Sequence, residues 1–246
     1  MTNIHNILIA GSGGTIAQAL IAHWQNAGAR VLTIGREDRN SRERDGSDPQ
    51  CNHEHLQTDL VDAANIPSIT AWLKSHGLPD AVIVCSGILH TKERQPEKAL
   101  KNITDDFLLH NMQINLLAHI HLAQAVAPLI KRNAQLKWMS LSAMVGSITD
   151  SQLGGWYSYR MSKAALNMFI KTLSIEWQRK APGSIVVATH PGTTDSALSE
   201  PFQANIKEGR LYTPELTAER LSKVLEELSP EQNGHLLHWD GSVLAF

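Results

Sequence analysis

The stretch NILIAGSGGTI near the start of the chain constrains the fold more than any other. A short apolar run, residues 7–10, passes directly into Gly11-Ser12-Gly13-Gly14, and an amphipathic stretch, residues 15–27, follows. A strand, a tight glycine turn and a helix start bring backbone N–H groups and the positive end of a helix to one point, where a pyrophosphate can sit without cationic side chains. A Cβ on the turn would hold the phosphate away. Gly11, Gly14 and Ala17 make a GxxGxxA spacing rather than GxGxxG. The same glycines also suit a turn that carries no ligand.

Short apolar runs recur at residues 31–34, 81–85, 138–141 and 185–188. They are nearly free of charge, as strands covered on both faces must be. Longer amphipathic segments alternate with them, at residues 69–75, 105–131 and 158–179. This alternation predicts βαβ units: an α/β fold with a doubly wound parallel sheet of about seven strands in three layers, helices lying on both faces. We find no internal repeat or linker, so the chain is expected to be a single dinucleotide-binding domain, residues 1–246, with a substrate-loop region at 193–230.

Composition narrows the partners. The 246 residues carry 22 Lys and Arg against 24 Asp and Glu, a formal charge of −2. That balance offers no electrostatic footprint for nucleic acid or an anionic membrane. No apolar run approaches the roughly 20 residues of a membrane span. The first residues have neither a basic stretch nor a small-residue cleavage site, and the two cysteines suit a reducing compartment. A cytoplasmic protein is expected.

Residues 36–54 are polar, charged and broken by Gly46 and Pro49, and are predicted to be a surface loop. Cys51, His53 and His55 lie at its end, but no fourth ligand stands at a metal-site spacing, so no metal is expected. The loop follows the second strand, where dinucleotide-binding folds select their cofactor. A carboxylate there bonds a ribose 2′-hydroxyl, and an arginine accepts a 2′-phosphate. Here the strand ends in Gly35-Arg36, and Arg36 can pair a phosphate bidentately. NADP(H) is favoured over NAD(H), although Glu37 and Asp38 follow at once.

Tyr159 and Lys163 stand four apart in GGWYSYRMSKAALNMF, on one face if the segment is helical. An ammonium about 5 Å from a phenol, at an effective dielectric near 20, is worth roughly 3 kcal/mol, or about two pK units toward neutrality, where a general acid works best. Tyr157 has Met161 at the same offset and offers no such pair. Alone, the Tyr–Lys spacing also fits an ordinary surface helix.

Together, the glycine turn, the Tyr159-x-x-x-Lys163 pair and the strand–helix order resemble the short-chain dehydrogenase/reductase family across essentially the whole chain. SAMVGSI with GGWYSYRMSKAALN is similar to its C-factor-like branch, close to carbonyl reductases. The resemblance implies a fold, a cofactor and a set of roles. Tyr159 would protonate a carbonyl oxygen, and Lys163 would hold the nicotinamide ribose and lower the phenol's pKa. Asn115, on an apolar helix stripe with Leu108, Met112, Leu122 and Val126, would join a water relay to the lysine; a buried asparagine can also be satisfied by nearby backbone. His119 shares that stripe and is expected to be a satisfied, partly buried histidine.

Cofactor contacts would come from Gly11, Ser12, Gly14, Thr15, Ile16, Arg36, Asp59, Leu60, Ser86, Gly87, Tyr159, Lys163, Pro191, Gly192 and Thr194, with Ser196 keeping a hydroxyl near the carboxamide. Asp59 also suits a plain turn. The chain departs from the family in three places, the first being Ser196, which stands where the family usually has threonine. The usual Ser-Ser-x-x-Gly reads Ser142-Ala143-Met144-Val145-Gly146, so the oxyanion donor is expected to be Ser142, with Ser147 the other candidate. The bracing asparagines after the fourth strand are replaced by Val84-Cys85-Ser86-Gly87. Trp239-Asp240-Gly241 matches the terminal strand and loop. Trp156 and a lid at 200–210 are candidate pocket walls. The expected activity is NADP(H)-dependent reduction of an aldehyde or ketone to an alcohol, reversibly, by a monomer or homodimer; the alternative is a low-turnover dinucleotide-binding signalling or regulatory protein of the C-factor type.

Overall fold

The computed structural model describes residues 4–38 and 52–246. Its centre is an eight-stranded sheet in the order β10-β9-β6-β5-β4-β1-β2-β3. The first half comprises β1 (Asn6–Ala10), α1 (Thr15–Asn26), β2 (Arg30–Gly35), β3 (His53–Gln57), α2 (Ile66–His76) and β4 (Ala81–Val84). The second half comprises α3 (Asp105–Met112), α4 (Ala118–Val126), β5 (Lys137–Leu141), α5 (Tyr157–Lys180) and β6 (Ile185–His190). A small ribbon of β7 (Thr193–Thr194) and β8 (Leu211–Tyr212), then α6 (Pro214–Glu227), β9 (Leu236–His238) and β10 (Val243–Leu244), complete it. Among the described residues seven strands of this sheet run parallel and only β10 is antiparallel to its neighbour, eight strands where about seven were expected.

The period of two along each strand builds the three layers. Leu8, Leu32, Val82, Trp138 and Val186 face one side and pack on α2, α4 and α5 through Leu73, Leu122, Leu166 and Ile170. Ile7, Ile9, Val31, Ile83 and Val187 face the other side and meet α1 and α6 through Leu20, Trp24, Leu221 and Leu225. Trp138 of β5 and Trp177 of α5, both fully buried, meet edge to face with ring centres 5.4 Å apart.

Three local expectations are corrected. Part of the expected loop at 36–54 belongs to β3: HEHLQ lacks an apolar run because it is the sheet's edge, where polar side chains guard against stray pairing. His53 and His55, two apart and so on one face, both bond the Thr33 hydroxyl, at 2.9 and 2.8 Å; Cys51 lies outside the described residues. Trp239, Asp240 and Gly241 form the turn between β9 and β10, and the strand itself precedes them. The long segment at 105–131 is not one regular helix: a π-helical turn, Gln113–Leu117, separates α3 from α4.

Candidate active site

Two adjoining clefts open at the C-terminal ends of the parallel strands, the place where open α/β sheets bind ligands. One, of about 340 Å³, runs past Gly11, Gly14, Arg36, Asp59 and Leu60. The other, of about 300 Å³, runs past Ile16, Ser142, Tyr159, Lys163, Pro191 and Thr194. Cys85, Ser86 and Gly87, just after β4, line both.

The first cleft fits a dinucleotide's phosphates. Helix α1 starts at its edge with no side-chain cap on Gly14 and no acid in its first turn, leaving the positive helix end free for an anion. Gly11 has φ of 75°, and a Cβ there would lie 2.7 Å from the Ser86 nitrogen. The Ser12 side chain is fully buried inside the turn, and its N–H bonds the Ile34 carbonyl at 3.1 Å. Thr15 is exposed at the helix start and lines neither cleft.

Arg36 is exposed at the end of β2, its carbonyl held by Gln57 at 3.0 Å. Asp59 lines the cleft while one carboxylate oxygen accepts the Val61 N–H at 3.0 Å, so it also forms the turn.

The loop carrying Ser86 is braced without the family's asparagines. Trp138 Nε1 donates to Ser140 Oγ at 3.0 Å, Ser140 and His119 Nδ1 are 3.0 Å apart, and His119 Nε2 reaches the Ser86 carbonyl at 3.0 Å. Neutral His119 satisfies this chain by accepting from Ser140 at Nδ1 and donating from Nε2. Burial, with the nearby Lys163 charge, holds it neutral by lowering its pKa to about 3. Hence His119, which the sequence suggested only as a satisfied side chain, anchors the wall between the clefts.

His190 is similarly pushed down to about 4 by burial and by His238. Both histidines bind protons only once unfolded, so their stabilising contribution is whole above the ordinary histidine pKa and fades as pH falls toward their native values. At pH 5 the loss is roughly 2 kcal/mol from each. Urea unfolding at pH 7 and pH 5 should show His119→Gln losing about half of the wild type's pH dependence; an unchanged difference between the two pH values would refute this.

In the second cleft, Tyr159 and Lys163 lie on the buried face of α5, with the ammonium 5.8 Å from the phenol ring centre. Lys163 Nζ donates to the Leu141 carbonyl at 2.9 Å. Burial drives its pKa down to about 7, and burial drives the phenol's up. The expected lowering of the phenol is therefore reversed in this site: desolvation of both groups outweighs their mutual attraction. Burial likewise pushes the Cys85 thiol up to about 12.

Asn115 sits in the π-helical turn, a feature that often marks functional sites. Its amide pairs with Ile88 like a short strand, accepting from the N–H at 2.7 Å and donating to the carbonyl at 2.9 Å, and it also reaches Ser162 Oγ at 2.8 Å. A Cβ on Gly87 would lie 3.5 Å from Lys163 Nζ and 3.6 Å from Asn115 Oδ1, so amide and ammonium flank one backbone position.

Ser142 lines the cleft but donates its proton to Asn167 Oδ1 at 2.6 Å, and Asn167 in turn holds the Gly146 carbonyl at 3.2 Å. Ser147 Oγ accepts the Asp150 N–H. The residue packed beside Tyr159 is Ala143, with Leu89.

Gly192 has φ of 80°, and a Cβ there would meet the Tyr212 ring at 2.9 Å. The Thr194 hydroxyl pairs with Thr217 of α6 at 2.8 Å, while Ser196 donates to the Thr194 carbonyl at 3.2 Å. Trp156 does form a wall, 6.3 Å from the Tyr159 ring and 4.9 Å from Phe202. Phe202 lies in a short 3₁₀ helix, Glu200–Asn205, within the expected lid. The sequence signalled it only as a lone aromatic in a polar run, and gave no sign that Leu89 or Leu198 would reach the cleft.

Solved structures share this fold. The carbonyl reductase Sniffer of D. melanogaster superposes with a TM-score of 0.84 at 22% identity, covering 99% of this chain and 100% of that one. The NADPH-bound carbonyl reductase from chicken fatty liver gives 0.84 at 24% identity, covering 99% of each chain. These likenesses show the fold. The 1-hydroxy-2-glutathionyl-2-methyl-3-butene dehydrogenase of Rhodococcus sp. (strain AD45) is 30% identical over 187 residues, 76% of this chain and 77% of its own. A family model for short chain dehydrogenases matches residues 5–207. Sequence, strand order and the paired clefts agree: the chain belongs to the short chain dehydrogenase family.

Proposed function

We propose that the protein is an NADP(H)-dependent reductase of uncharged, apolar aldehydes or ketones. The observation that carries this reading is the placement of Tyr159 and Lys163 in an apolar cleft that shares Cys85, Ser86 and Gly87 with the phosphate-fitting one. Gly11, Gly14, Ile16, Leu60, Ser86, Gly87, Pro191 and Gly192 would hold the dinucleotide along this path, with Arg36 at its adenosine end. The bound nicotinamide supplies the hydride. Tyr159, kept protonated by burial, donates its proton to the carbonyl oxygen. Lys163 stabilises the phenolate left behind. Ser142 would add a second hydrogen bond to that oxygen by turning its hydroxyl away from Asn167, and Asn115, which holds the Ile88 backbone, would join Lys163 through a water.

The substrate class follows from the lining. Leu89, Ala143, Val145, Trp156, Leu198 and Phe202 present an apolar surface, and Lys163 and His190 are the only basic side chains among the lining residues. Lys163 is committed to the chemistry, and burial keeps His190 neutral, so among the described lining residues no fixed cation remains to pair with a carboxylate or phosphate on the substrate. NADPH oxidation measured against neutral aromatic aldehydes and ketones should show turnover, while 2-keto acids should give none. Tight NADPH binding without oxidation by any carbonyl would instead favour a dinucleotide-binding regulator.

Arg36 supports the choice of phosphate. Arg36→Ala should raise the Kd for NADPH about 10- to 100-fold, as loss of a charge-assisted contact does, and leave that for NADH within about twofold. Titration by nucleotide fluorescence checks this, and equal weakening of both would count against a 2′-phosphate contact.

A further inference from the structure

Helix α5, which carries Tyr159 and Lys163, begins without a cap of its own. Its N-cap residue is Trp156, which makes no capping hydrogen bond, and its first turn has no acid. Trp156 also adopts φ of 54°, the only positive φ outside glycine among the described residues. A bulky side chain holds that left-handed conformation only when its surroundings impose it.

The surroundings that impose it come from Glu97, in the segment between β4 and α3. Its carboxylate is buried, with 3% exposure. One oxygen accepts the Ser158 N–H at 3.2 Å and the other takes the Ser158 hydroxyl. Its own carbonyl accepts the Trp156 N–H at 2.5 Å. Gly155, with φ of 79°, lies so close that a Cβ would stand 3.1 Å from the same carbonyl. A single residue distant in sequence thus takes two backbone donors at the helix start, those of Trp156 and Ser158, places a carboxyl group at its positive end and clamps the turn before it.

We infer that Glu97 is a positioning residue, a cap supplied from another loop that fixes the angle at which Tyr159 and Trp156 face the substrate cleft. The inference rests on the proposed role of Tyr159 for its kinetic consequence, but its structural part stands apart from that role. Among the described residues Glu97 lines neither cleft and touches the site only through the start of α5, so its removal should reach the chemistry far more than cofactor binding.

The test compares Glu97→Ala, Glu97→Gln and Ser158→Ala in the full chain. Glu97→Ala should lower kcat about 10- to 100-fold, the scale of a misplaced reacting group, with the NADPH Kd within about twofold. Amide hydrogen exchange at Ser158 and Tyr159, followed by NMR, should quicken about fivefold or more. Glu97→Gln keeps an acceptor oxygen and should restore most of both. Should Glu97→Ala fail to fold, Ser158→Ala removes one hydroxyl from the cap and should show the same pattern at smaller size. Unchanged kcat and unchanged exchange would overturn the inference, as would a kcat loss matched by an equal loss of NADPH affinity. If Tyr159→Phe were fully active while Glu97→Ala still released the first turn, the cap would stand and the chemical role of Tyr159 would fall.

Discussion

Tyr159→Phe should lower the turnover of an apolar carbonyl by about two to four orders of magnitude, the usual worth of a positioned proton donor. The variant keeps everything the ring does. Its contacts with Trp156, Leu89 and Ala143 are apolar and survive the loss of one oxygen. Among the described residues no hydrogen bond restrains the phenol oxygen, so removing it leaves no partner stranded, and the unfolding midpoint should stay within a few degrees. NADPH affinity should change by about twofold or less, because the glycine turn and Arg36 lie in the neighbouring cleft. Steady-state kinetics together with a binding titration separates these quantities. Wild-type turnover in the variant would remove the phenol from the chemistry altogether.

Lys163→Met should abolish measurable turnover and, unusually for a core substitution, make the protein more stable. Lys163 is buried, and its pKa drops from the ordinary lysine value of 10.5 to about 7. Between those values the unfolded chain binds a proton that the native protein does not, so stability climbs as pH rises through this window. The cost of burying the amine is therefore full below pH 7 and gone near pH 10.5. At about 1.4 kcal/mol per unit its upper limit is roughly 5 kcal/mol. Methionine fills a similar volume but leaves the Leu141 carbonyl without its donor, which costs about 1–3 kcal/mol. The first effect wins at low pH. Urea unfolding should show a gain of about 2 kcal/mol or more at pH 6, shrinking by pH 9. A loss of stability at pH 6, or a gain that grows with pH, would contradict the burial-driven shift. The same comparison shows a functional group held against the preference of the fold.

The parallel core was legible because apolar strands buried on both faces have a signature that survives without tertiary context. Residues 7–10, 31–34, 81–85, 138–141 and 185–188 all fall on β1, β2, β4, β5 and β6, with ends displaced by one or two residues. The polar edge strand β3 carries no such signature. Helix α6 does carry one, a Thr213 cap before Pro214 and apolar positions at Leu221, Val224 and Leu225, yet nothing local tells which sheet face it covers. The site divides in the same way.

Spacing alone set Tyr159 and Lys163 on one side of a helix and Gly11 and Gly14 before another, because a helical turn and a glycine turn are local geometries. Tertiary structure alone decided what surrounds them. It buried the phenol and the ammonium deeply enough to reverse the expected shift of the tyrosine, turned Ser142 toward Asn167, replaced the missing asparagines with His119, and brought Glu97 to the head of α5. Desolvation and hydrogen-bond partners depend on which distant segments close over a residue, and that information lies in the packing of the whole chain rather than in any stretch of it.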